Sequence, residues 1–355
     1  MKRLSLFGTA ALAILLGTAC NNDSPVPEPP QPITAGVYVL NEGGFNQNNA
    51  MLTYYDFATK QASTDFYQSV NGSSLGDTGN DMIIYGSKLY VVMTTSSYLE
   101  VADAQTAKSI KKIIMEKDGD KSSPRFILPY KNKVLVSAYD GTVAVIDTAS
   151  LNIEDRITVG STPEQMEISG DKLYVTNSGG YNYPDYDSTV SVVDLNTYTE
   201  IQKLTVGLNP TRVALGEGKL FVICNGNYFD VPAKLVSLDL ATNTVTKETE
   251  INLGAIRYFE GKLYASGGFG ASPTVPVINP SDLSIAAENF ISDGTTLVTP
   301  YGVNVDTETG DLFVTDAKDY VSSGEVFCFG KDGKKKYSFL VTPAVSPGKV
   351  VPVKK

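Results

Sequence analysis

A short apolar motif recurs along this chain, and it constrains the fold more than any other feature of the sequence. The motif is Lys-Leu-Tyr-Val or a close relative after a turn, and its copies begin at Gly36, Lys88, Lys133, Lys172, Lys219, Lys262 and Asp311. Successive copies are separated by 39 to 52 residues. This period is typical of β-propeller blades, whereas leucine-rich repeats are shorter and helical repeats would show a 3.6-residue periodicity that is missing here.

Each copy starts a repeat that contains further strand-like segments. A second apolar segment often ends in aspartate, as in GTVAVIDTAS, STVSVVDLNT and AKLVSLDLAT, and a third segment and a short fourth one such as MEIS follow. Residues typical of strands fill these segments, and Gly and Pro separate them. The pattern predicts an all-β fold, a seven-bladed β-propeller of four-stranded antiparallel blades. Because Asp147, Asp194 and Asp239 recur at one place in the repeat, we interpret them as turn residues that bond backbone amides.

The first repeat lacks a segment that could form its innermost strand. The chain ends in PGKVVPVKK, a strand-like tail with no partner segments of its own. We therefore expect residues 350–353 to supply that strand beside GVYVL, so that the C-terminal strand closes the ring. Closure of this kind leaves no long open sheet edge.

The residues before the propeller are typical of a targeting segment and a tether. Lys2 and Arg3, an apolar run over residues 4–16 and small residues before Cys20 resemble a bacterial lipoprotein signal. We predict a signal peptide over residues 1–19, a lipidated Cys20 with a Pro-rich tether over residues 20–34, and the propeller over residues 35–355. The apolar run is too short for a transmembrane helix, so the lipid anchor is the expected membrane contact. An ordinary secretory signal with an incidental cysteine is the alternative.

The charge of the chain argues against nucleic acid as a partner. The formal net charge is −10, and removal of Lys2 and Arg3 with the signal would make it −12. Nucleic-acid binding needs a basic patch or stripe, and the lysines at 111–112 and 334–336 form only short clusters. We interpret these lysines as solvated charges.

The sequence contains no histidine, and this limits the chemistry that it can perform. Ser-His-Asp triads, histidine general bases and the common zinc sites all need that residue. We therefore expect no catalytic residues, no metal site and no catalytic cofactor. Two alternatives stay open, chemistry by carboxylates alone and a calcium ion held without EF-hand spacing by the loop carboxylates Asp185, Asp187, Asp316 and Asp319. Cys224 and Cys328 lie in apolar strand patterns of repeats that are not adjacent, so we expect buried free thiols there.

One face of the predicted ring has the composition of a binding surface. In a propeller, the loops between second and third strands open on the same face as the connections to the next blade. These loops are polar, rich in glycine and aromatic, whereas the turns on the opposite face are short; Tyr and Asn offer rigid contact area and hydrogen bonds. The candidate ligand-binding residues are Asn41, Glu42, Phe45, Tyr98, Arg125, Tyr139, Asp140, Asn177, Tyr181, Tyr183, Tyr186, Arg212, Asn225, Asn227, Tyr228, Phe229, Phe269, Asp316 and Tyr320.

The whole mature chain resembles a known family. The lipoprotein signal, the polar tether, the opening GVYVLNEGGFNQNNAMLTYYD and the closing YGVNVDTETGDLFVTDAKDYVSSGEVFCFGKDGKKKYSF are similar to YncE-like, surface-layer-type propeller lipoproteins of Bacteroidales, in particular the BtuG-like cobalamin-binding group. This resemblance implies an outer-membrane lipoprotein, exposed at the cell surface. It would capture cobalamin or a related corrinoid and pass it to a BtuB-like TonB-dependent transporter.

Two other functions stay open at the level of sequence. A surface propeller of this fold could bind a glycan or a peptide as an adhesin or a structural protein. A lactonase-like hydrolase would need a metal held in the ring by converging Glu, Asp and Asn side chains. The inner-strand residues Glu167, Arg212 and Arg257 do not resemble such a ligand set.

Overall fold

The strands follow one another along the chain in the order that the repeat predicts. The computed structural model describes residues 34–354, so the predicted signal peptide, Cys20 and nearly all of the tether lie outside the described residues. The first blade receives β1 (Thr34–Asn41), β2 (Met51–Asp56) and β3 (Gln61–Ser63), and helix α1 (Phe66–Asn71) follows. The second blade contains β4 (Gly79–Tyr85), β5 (Lys88–Met93), β6 (Tyr98–Asp103) and β7 (Ser109–Ile114).

The third, fourth and fifth blades repeat this order. A small hairpin, β8 (Glu116–Lys117) and β9 (Asp120–Lys121), precedes the third blade. That blade contains β10 (Pro124–Tyr130), β11 (Lys133–Ala138), β12 (Thr142–Asp147) and β13 (Ile153–Thr158). The fourth contains β14 (Pro163–Ser169), β15 (Lys172–Asn177), β16 (Thr189–Asp194) and β17 (Thr199–Thr205). The fifth contains β18 (Pro210–Gly216), β19 (Lys219–Cys224), β20 (Lys234–Asp239) and β21 (Thr244–Glu250).

The last two blades complete the ring. The sixth contains β22 (Leu253–Phe259), β23 (Lys262–Gly267), β24 (Val277–Ile278) and β25 (Ile285–Ala287). The seventh contains β26 (Pro300–Val305), β27 (Leu312–Asp316), β28 (Glu325–Phe329) and β29 (Lys335–Leu340), and β30 (Pro347–Lys354) follows. Seven four-stranded antiparallel sheets result, which confirms the predicted seven-bladed propeller. The recurring motif forms the second strand of each blade.

The C-terminal strand closes the ring as the sequence predicts. β30 pairs antiparallel with β1, with Val351 opposite Tyr38 and Val350 opposite Val39. The first sheet therefore has the order β3, β2, β1, β30, and its innermost strand comes from the other end of the chain. This pairing gives β1 a hydrogen-bonded neighbour on both sides, so β1 has no unpaired edge.

The second strands are buried on both faces because each blade packs between two others. Leu89 and Val91 belong to the apolar cluster that the second blade shares with the first, whereas Tyr90 and Val92 face the third blade. A strand between two packed layers needs apolar residues at every position, which explains the unbroken run of the motif. Complete burial of one such side chain stabilises the fold by roughly 1.5–3 kcal/mol.

The recurring aspartates at the ends of third strands hold tight turns on one face of the ring. Asp147 accepts hydrogen bonds from the backbone amides of Ala149 and Ser150, at 3.0 and 2.7 Å. Asp239 does the same for Ala241 and Thr242, at 3.0 and 2.9 Å. The predicted structural role of these residues is confirmed.

The two cysteines of the propeller are buried free thiols, as expected. Cys224 lies between the fourth and fifth blades, and Cys328 lies between the seventh and the first. Burial raises the pKa of both thiols to about 12, which leaves them protonated at neutral pH.

Candidate ligand-binding site at the channel mouth

The inner strands begin with an irregularity that turns polar side chains toward the axis of the ring. In β10 the pairing with β11 shifts between Pro124 and Ile127, and β14 and β26 shift at the equivalent place. A bulge re-aims side chains, so both residues that follow the initial proline face the channel. Arg125 and Phe126 do so in β10, and Ile127 then returns to the core between blades.

A cavity of about 990 Å³ occupies the mouth of the channel. We use the term mouth face for the side of the ring where the loops between second and third strands open. The walls are the first residues of the inner strands, and the rim is formed by loops of the fifth, sixth and seventh blades. The volume is at the upper end of the range for small-molecule sites, so the cavity suits a large ligand.

Aromatic side chains form the rim of this cavity. Phe229 is 93% exposed and Phe269 is 88% exposed, and Tyr228 and Tyr320 lie beside them on the cavity wall. Large apolar side chains in contact with water are costly in a monomer and mark interaction sites when they cluster. These four rings are a surface on which a flat ligand could stack.

Below the rim, a charged network joins the third, fourth and fifth blades. Arg125 Nε lies 3.0 Å from Glu164 Oε2, and Tyr139 donates its hydroxyl to Glu164 Oε1 at 2.6 Å. Arg212 Nη1 is 3.9 Å from Glu164, and the guanidinium groups of Arg125 and Arg212 lie over the Phe126 ring at 5.6 and 4.9 Å. Burial alone would lower the pKa of Arg125, but the nearby Glu164 carboxylate raises it overall. Arg125 and Glu164 are thus held as a charged pair.

A second polar contact links the first and seventh blades at the mouth. Tyr301 donates its hydroxyl to Glu42, and the Tyr301 and Tyr320 rings meet edge to face at a centroid distance of 5.8 Å. Burial raises the pKa of Tyr301, and the adjacent Glu42 carboxylate raises it further. Tyr301 therefore stays a hydrogen-bond donor across the physiological pH range.

Deeper in the channel, charges come from four inner strands. Lys349 Nζ lies 2.9 Å from Asp81 Oδ1, which joins β30 to β4. Glu167 of β14 and Arg257 of β22 are close enough to influence each other's ionisation. Burial raises the pKa of Glu167 to about 7, against the opposing effect of Arg257 and Lys349. The channel therefore contains a carboxyl group that titrates near neutral pH.

The structure brings eight of the predicted site residues together on the cavity wall. They are Glu42, Arg125, Arg212, Asn225, Tyr228, Phe229, Phe269 and Tyr320. Tyr139 stands behind this wall and bonds Glu164. Six others do not line the cavity: Phe45, Asp140, Tyr181, Tyr183, Tyr186 and Asn227.

Four predicted site residues lie inside the fold instead of at the site. Asn41 donates to the carbonyl oxygen of Met51 at 3.0 Å, and Asn177 donates to Ser191 Oγ at 2.9 Å. Asp316 accepts hydrogen bonds from backbone amides at 2.9 and 2.8 Å, and Tyr98 donates to a backbone carbonyl. All four are nearly or fully buried. Their side chains bond strands and loops within the fold, and none of them lines the cavity.

Sequence reasoning missed several residues of the channel. Glu164, Tyr301, Asp81 and Lys349 were not among the predicted site residues, although they carry much of its hydrogen bonding and charge. The signal that could have found them is the pair of residues after the proline or glycine that begins each inner strand. The innermost strand is the most enclosed strand of each blade, and a polar side chain buried there without a partner would cost free energy. Polar residues at those positions therefore indicate that they face a water-filled channel.

The part of the chain that the structure describes contains neither a metal-binding cluster nor a membrane-spanning helix. Within residues 34–354, no group of three or more His, Cys, Asp or Glu side chains is arranged to hold a metal ion. In the same range, no helix has the length and apolar character needed to cross a membrane.

Comparison with known proteins identifies the fold and the family. A quinonprotein alcohol dehydrogenase-like protein of Bacteroides thetaiotaomicron VPI-5482 is structurally similar, with a TM-score of 0.66 and 16% identity over 91% of this chain and 79% of that chain. Hydrazine synthase of Kuenenia stuttgartiensis has a TM-score of 0.57 and 17% identity over 70% and 74% of the two chains. The dihydro-heme d1 dehydrogenase NirN has a TM-score of 0.59 and 13% identity over 91% of this chain and 68% of that chain. Such low identities show the fold alone.

No curated protein matches the sequence. A family model described as a domain of unknown function, DUF5074, matches residues 35–320. Because this match spans most of the propeller, the chain belongs to the DUF5074 family.

Proposed function

We propose that this propeller captures cobalamin or a related corrinoid at the channel mouth and passes it to a BtuB-like TonB-dependent transporter. The observation that carries the proposal is the cavity of about 990 Å³, which combines an exposed aromatic rim with positively and negatively charged side chains that can form hydrogen bonds. The resemblance of the sequence to BtuG-like surface lipoproteins supports the choice of ligand class.

The chemistry of a corrinoid fits this combination. A corrinoid is broad and flat, and its edge carries amide groups that both donate and accept hydrogen bonds. Phe229 and Phe269 offer apolar faces for the ring system. Arg125 offers donors and Glu42 offers acceptor oxygens to the amides. A lipid would need fewer polar partners, and a small ion would need less space.

The bound corrinoid would keep its own lower ligand at cobalt. The chain contains no histidine, so no imidazole of the protein can replace that ligand. Capture would then rest on stacking and amide hydrogen bonds, and the protein would act as a binding protein and not as an enzyme. The visible spectrum of the bound corrinoid should match that of the free one, and a spectrum of substitution by a protein nitrogen would contradict this mode.

The proposal places the propeller at the outer membrane. Cys20 would be lipidated there, and the Pro-rich tether over residues 20–34 would hold the propeller at the cell surface. The transporter would then receive the corrinoid directly from the mouth face.

Isothermal titration with cyanocobalamin tests the function. Binding by the wild-type chain is expected, and Phe229→Ala or Phe269→Ala should weaken it about tenfold or more because each removes an exposed stacking surface. Phe45→Ala is the matched control, since Phe45 is 75% exposed but does not line the cavity. Absence of cyanocobalamin binding, or equal loss in all three variants, would refute the proposed site.

A glycan or peptide ligand is the second candidate, because exposed aromatic rims also stack on sugar rings. The same titrations with a glycan panel separate the two, since a glycan that binds more tightly than cyanocobalamin would replace the corrinoid in this proposal. Metal analysis of the purified chain addresses a lactonase-like hydrolase.

A further inference from the structure

Two arginines in the channel are less closely paired than its other cations: Arg212 only approaches Glu164 at 3.9 Å, a carboxylate that it shares with Arg125. Arg125 is paired with Glu164 at 3.0 Å, and Lys349 is paired with Asp81 at 2.9 Å. Arg212 of β18 and Arg257 of β22 line the same cavity from adjacent blades. Among residues 34–354, no carboxylate forms a salt bridge with Arg257.

The hydrogen bonds of these two arginines leave most of their donors unused. Arg257 donates from Nη1 to the carbonyl oxygen of Ile256, 2.8 Å away. Arg212 donates to the carbonyl oxygen of Thr211 at 3.3 Å. Its nearest carboxylate, Glu164 at 3.9 Å, already accepts from Arg125 and Tyr139. A guanidinium group has five N–H donors, so both side chains retain donors for a further partner.

The two positive charges also act on each other. Burial lowers the pKa of Arg257; the nearby carboxylates of Asp81 and Glu167 oppose this, and the charge of Arg212 adds a smaller lowering effect. Like charges that repel in a partly enclosed channel are stabilised when an anion lies between them. An anion at this point would therefore reduce the repulsion between the two arginines.

Space is available beside the guanidinium groups. Arg212 and Arg257 both line the cavity of about 990 Å³, together with Gly254 and Ala255 at the start of β22. A planar guanidinium with free edges in such a space is suited to bidentate contact with an oxyanion.

We propose that Arg212 and Arg257 form an oxyanion-binding subsite in the channel, below the aromatic rim. The subsite takes a sulfate-like or phosphate-like group. That group is either a free ion or an anionic substituent of a larger ligand held at the mouth. The inference does not depend on which ligand occupies the mouth.

Sulfate is the probe for this subsite, because it keeps its charge across the accessible pH range. Titrations at low ionic strength and pH 6 are suitable, since Glu167, with a pKa raised by burial to about 7, is then largely neutral and repels the ion less. The wild-type chain should bind sulfate. Arg257→Gln and Arg212→Gln should each lower the affinity about tenfold or more, the range for loss of a charged hydrogen-bonding partner.

Lys247→Gln provides the matched control. It removes the same charge from the exposed outermost strand β21 and should leave sulfate binding unchanged. Circular dichroism melts without sulfate check that each variant folds. If Arg257→Gln does not fold, Arg257→Lys takes its place in the test; it keeps the positive charge but loses the planar guanidinium, so it should lose part of the sulfate affinity. No sulfate binding by the wild-type chain, or equal binding by the arginine variants, overturns the subsite.

A second pair of titrations identifies the source of the anion. Cyanocobalamin carries a phosphodiester in its nucleotide loop, and dicyanocobinamide lacks that group. If Arg257→Gln weakens binding of cyanocobalamin alone, the subsite holds an anionic group of the larger ligand. If it weakens sulfate binding and neither corrinoid, the subsite serves a free ion. Failure of both corrinoids to bind would refute the proposed function and leave the sulfate result intact.

Discussion

The recurring aspartates opposite the mouth and the charged side chains at the mouth come from the same repeats but form different kinds of contact. On the face opposite the mouth, each recurring aspartate holds the turn that follows it: Asp147 accepts from the amide of Ser150 at 2.7 Å, and Asp239 accepts from that of Thr242 at 2.9 Å. At the mouth, charged side chains bond across blades, as Arg125 of the third blade does with Glu164 of the fourth.

This difference separates the frame from the site. The frame consists of the repeated strands, their turns and the closing strand β30, and it depends on residues that each repeat contains. The site depends on residues that differ between repeats at equivalent positions, as Arg125, Glu164 and Tyr301 do at the start of β10, β14 and β26. A rigid repeated frame can therefore present a unique set of side chains, because only the positions facing the channel and the loops are free to vary.

Removal of the closing strand should have the largest effect on stability, since it disrupts the frame that both faces share. Deletion of residues 348–355 takes away Val350 and Val351, which pair with Val39 and Tyr38, and exposes the inner edge of β1. We expect loss of cooperative unfolding or a fall of the thermal midpoint by more than about 10 °C, as several buried side chains and a ladder of hydrogen bonds are lost. Thermal melts by circular dichroism measure this.

Deletion of residues 354–355 alone is the control for that experiment. It leaves the pairs of Val350 and Val353 in place and should shift the midpoint little. An unchanged melt after the longer deletion would show that the ring does not need its closing strand.

Replacement of Glu167 by Gln should have an intermediate effect that depends on pH. The folded-state pKa of Glu167 is raised by burial to about 7, above its value in the unfolded chain. The folded chain therefore binds this proton more tightly than the unfolded chain does. The resulting stabilisation is fully present below pH 4.5 and is lost as the pH rises through about 7. Above pH 7, Glu167→Gln should be more stable than the wild-type chain by about 1–3 kcal/mol, and near pH 4.5 the two should be equal.

Urea unfolding at pH 4.5 and pH 8 measures the difference. Glu250→Gln, on the exposed strand β21, is the control and should not diverge from the wild-type chain with pH in this way. Parallel curves for Glu167→Gln and the wild-type chain would mean that channel water solvates this carboxylate fully, and the contrast between the enclosed channel and the outer surface would then be smaller than the structure indicates.

The frame could be predicted from the sequence because every repeat contains the same pattern of strands and turns. The run from Leu89 to Val92 and the turn at Asp239 each have relatives in other blades, so a chance match in one blade is corrected by the rest. Even the closing strand followed from one missing segment at the start and one surplus segment at the end.

The site could be predicted only in part, because it is defined by what does not repeat. Loop composition led to Phe229, Phe269 and Tyr320, which do line the cavity. It also led to Asn41, Asn177 and Asp316, because the sequence does not distinguish a polar residue that bonds its own loop from one that faces a ligand. Glu164 and Tyr301 were missed because the bulges that turn them into the channel depend on strand pairing between distant segments.

The aromatic loop of the fourth blade should show the smallest effect, although its sequence is the richest in tyrosine. Tyr181 and Tyr183 are 72% and 74% exposed, and Tyr186 packs edge to face with Tyr228 at 6.3 Å, yet none of the three lines the cavity. The triple replacement by alanine should leave the thermal midpoint nearly unchanged, since exposed rings contribute little to folding. Cyanocobalamin affinity should fall less than for Phe229→Ala, by about threefold or less, through the lost support of Tyr228.

The triple variant also decides how far the site extends around the ring. A loss of affinity equal to or greater than that of Phe229→Ala would mean that the ligand also contacts the loop of the fourth blade and that the cavity wall is only part of the binding surface. A small loss would restrict recognition at the rim to the loops of the fifth, sixth and seventh blades. The tyrosines of the fourth blade would then be free to contact a protein partner while the ligand is bound, because they lie on the same face but outside the cavity.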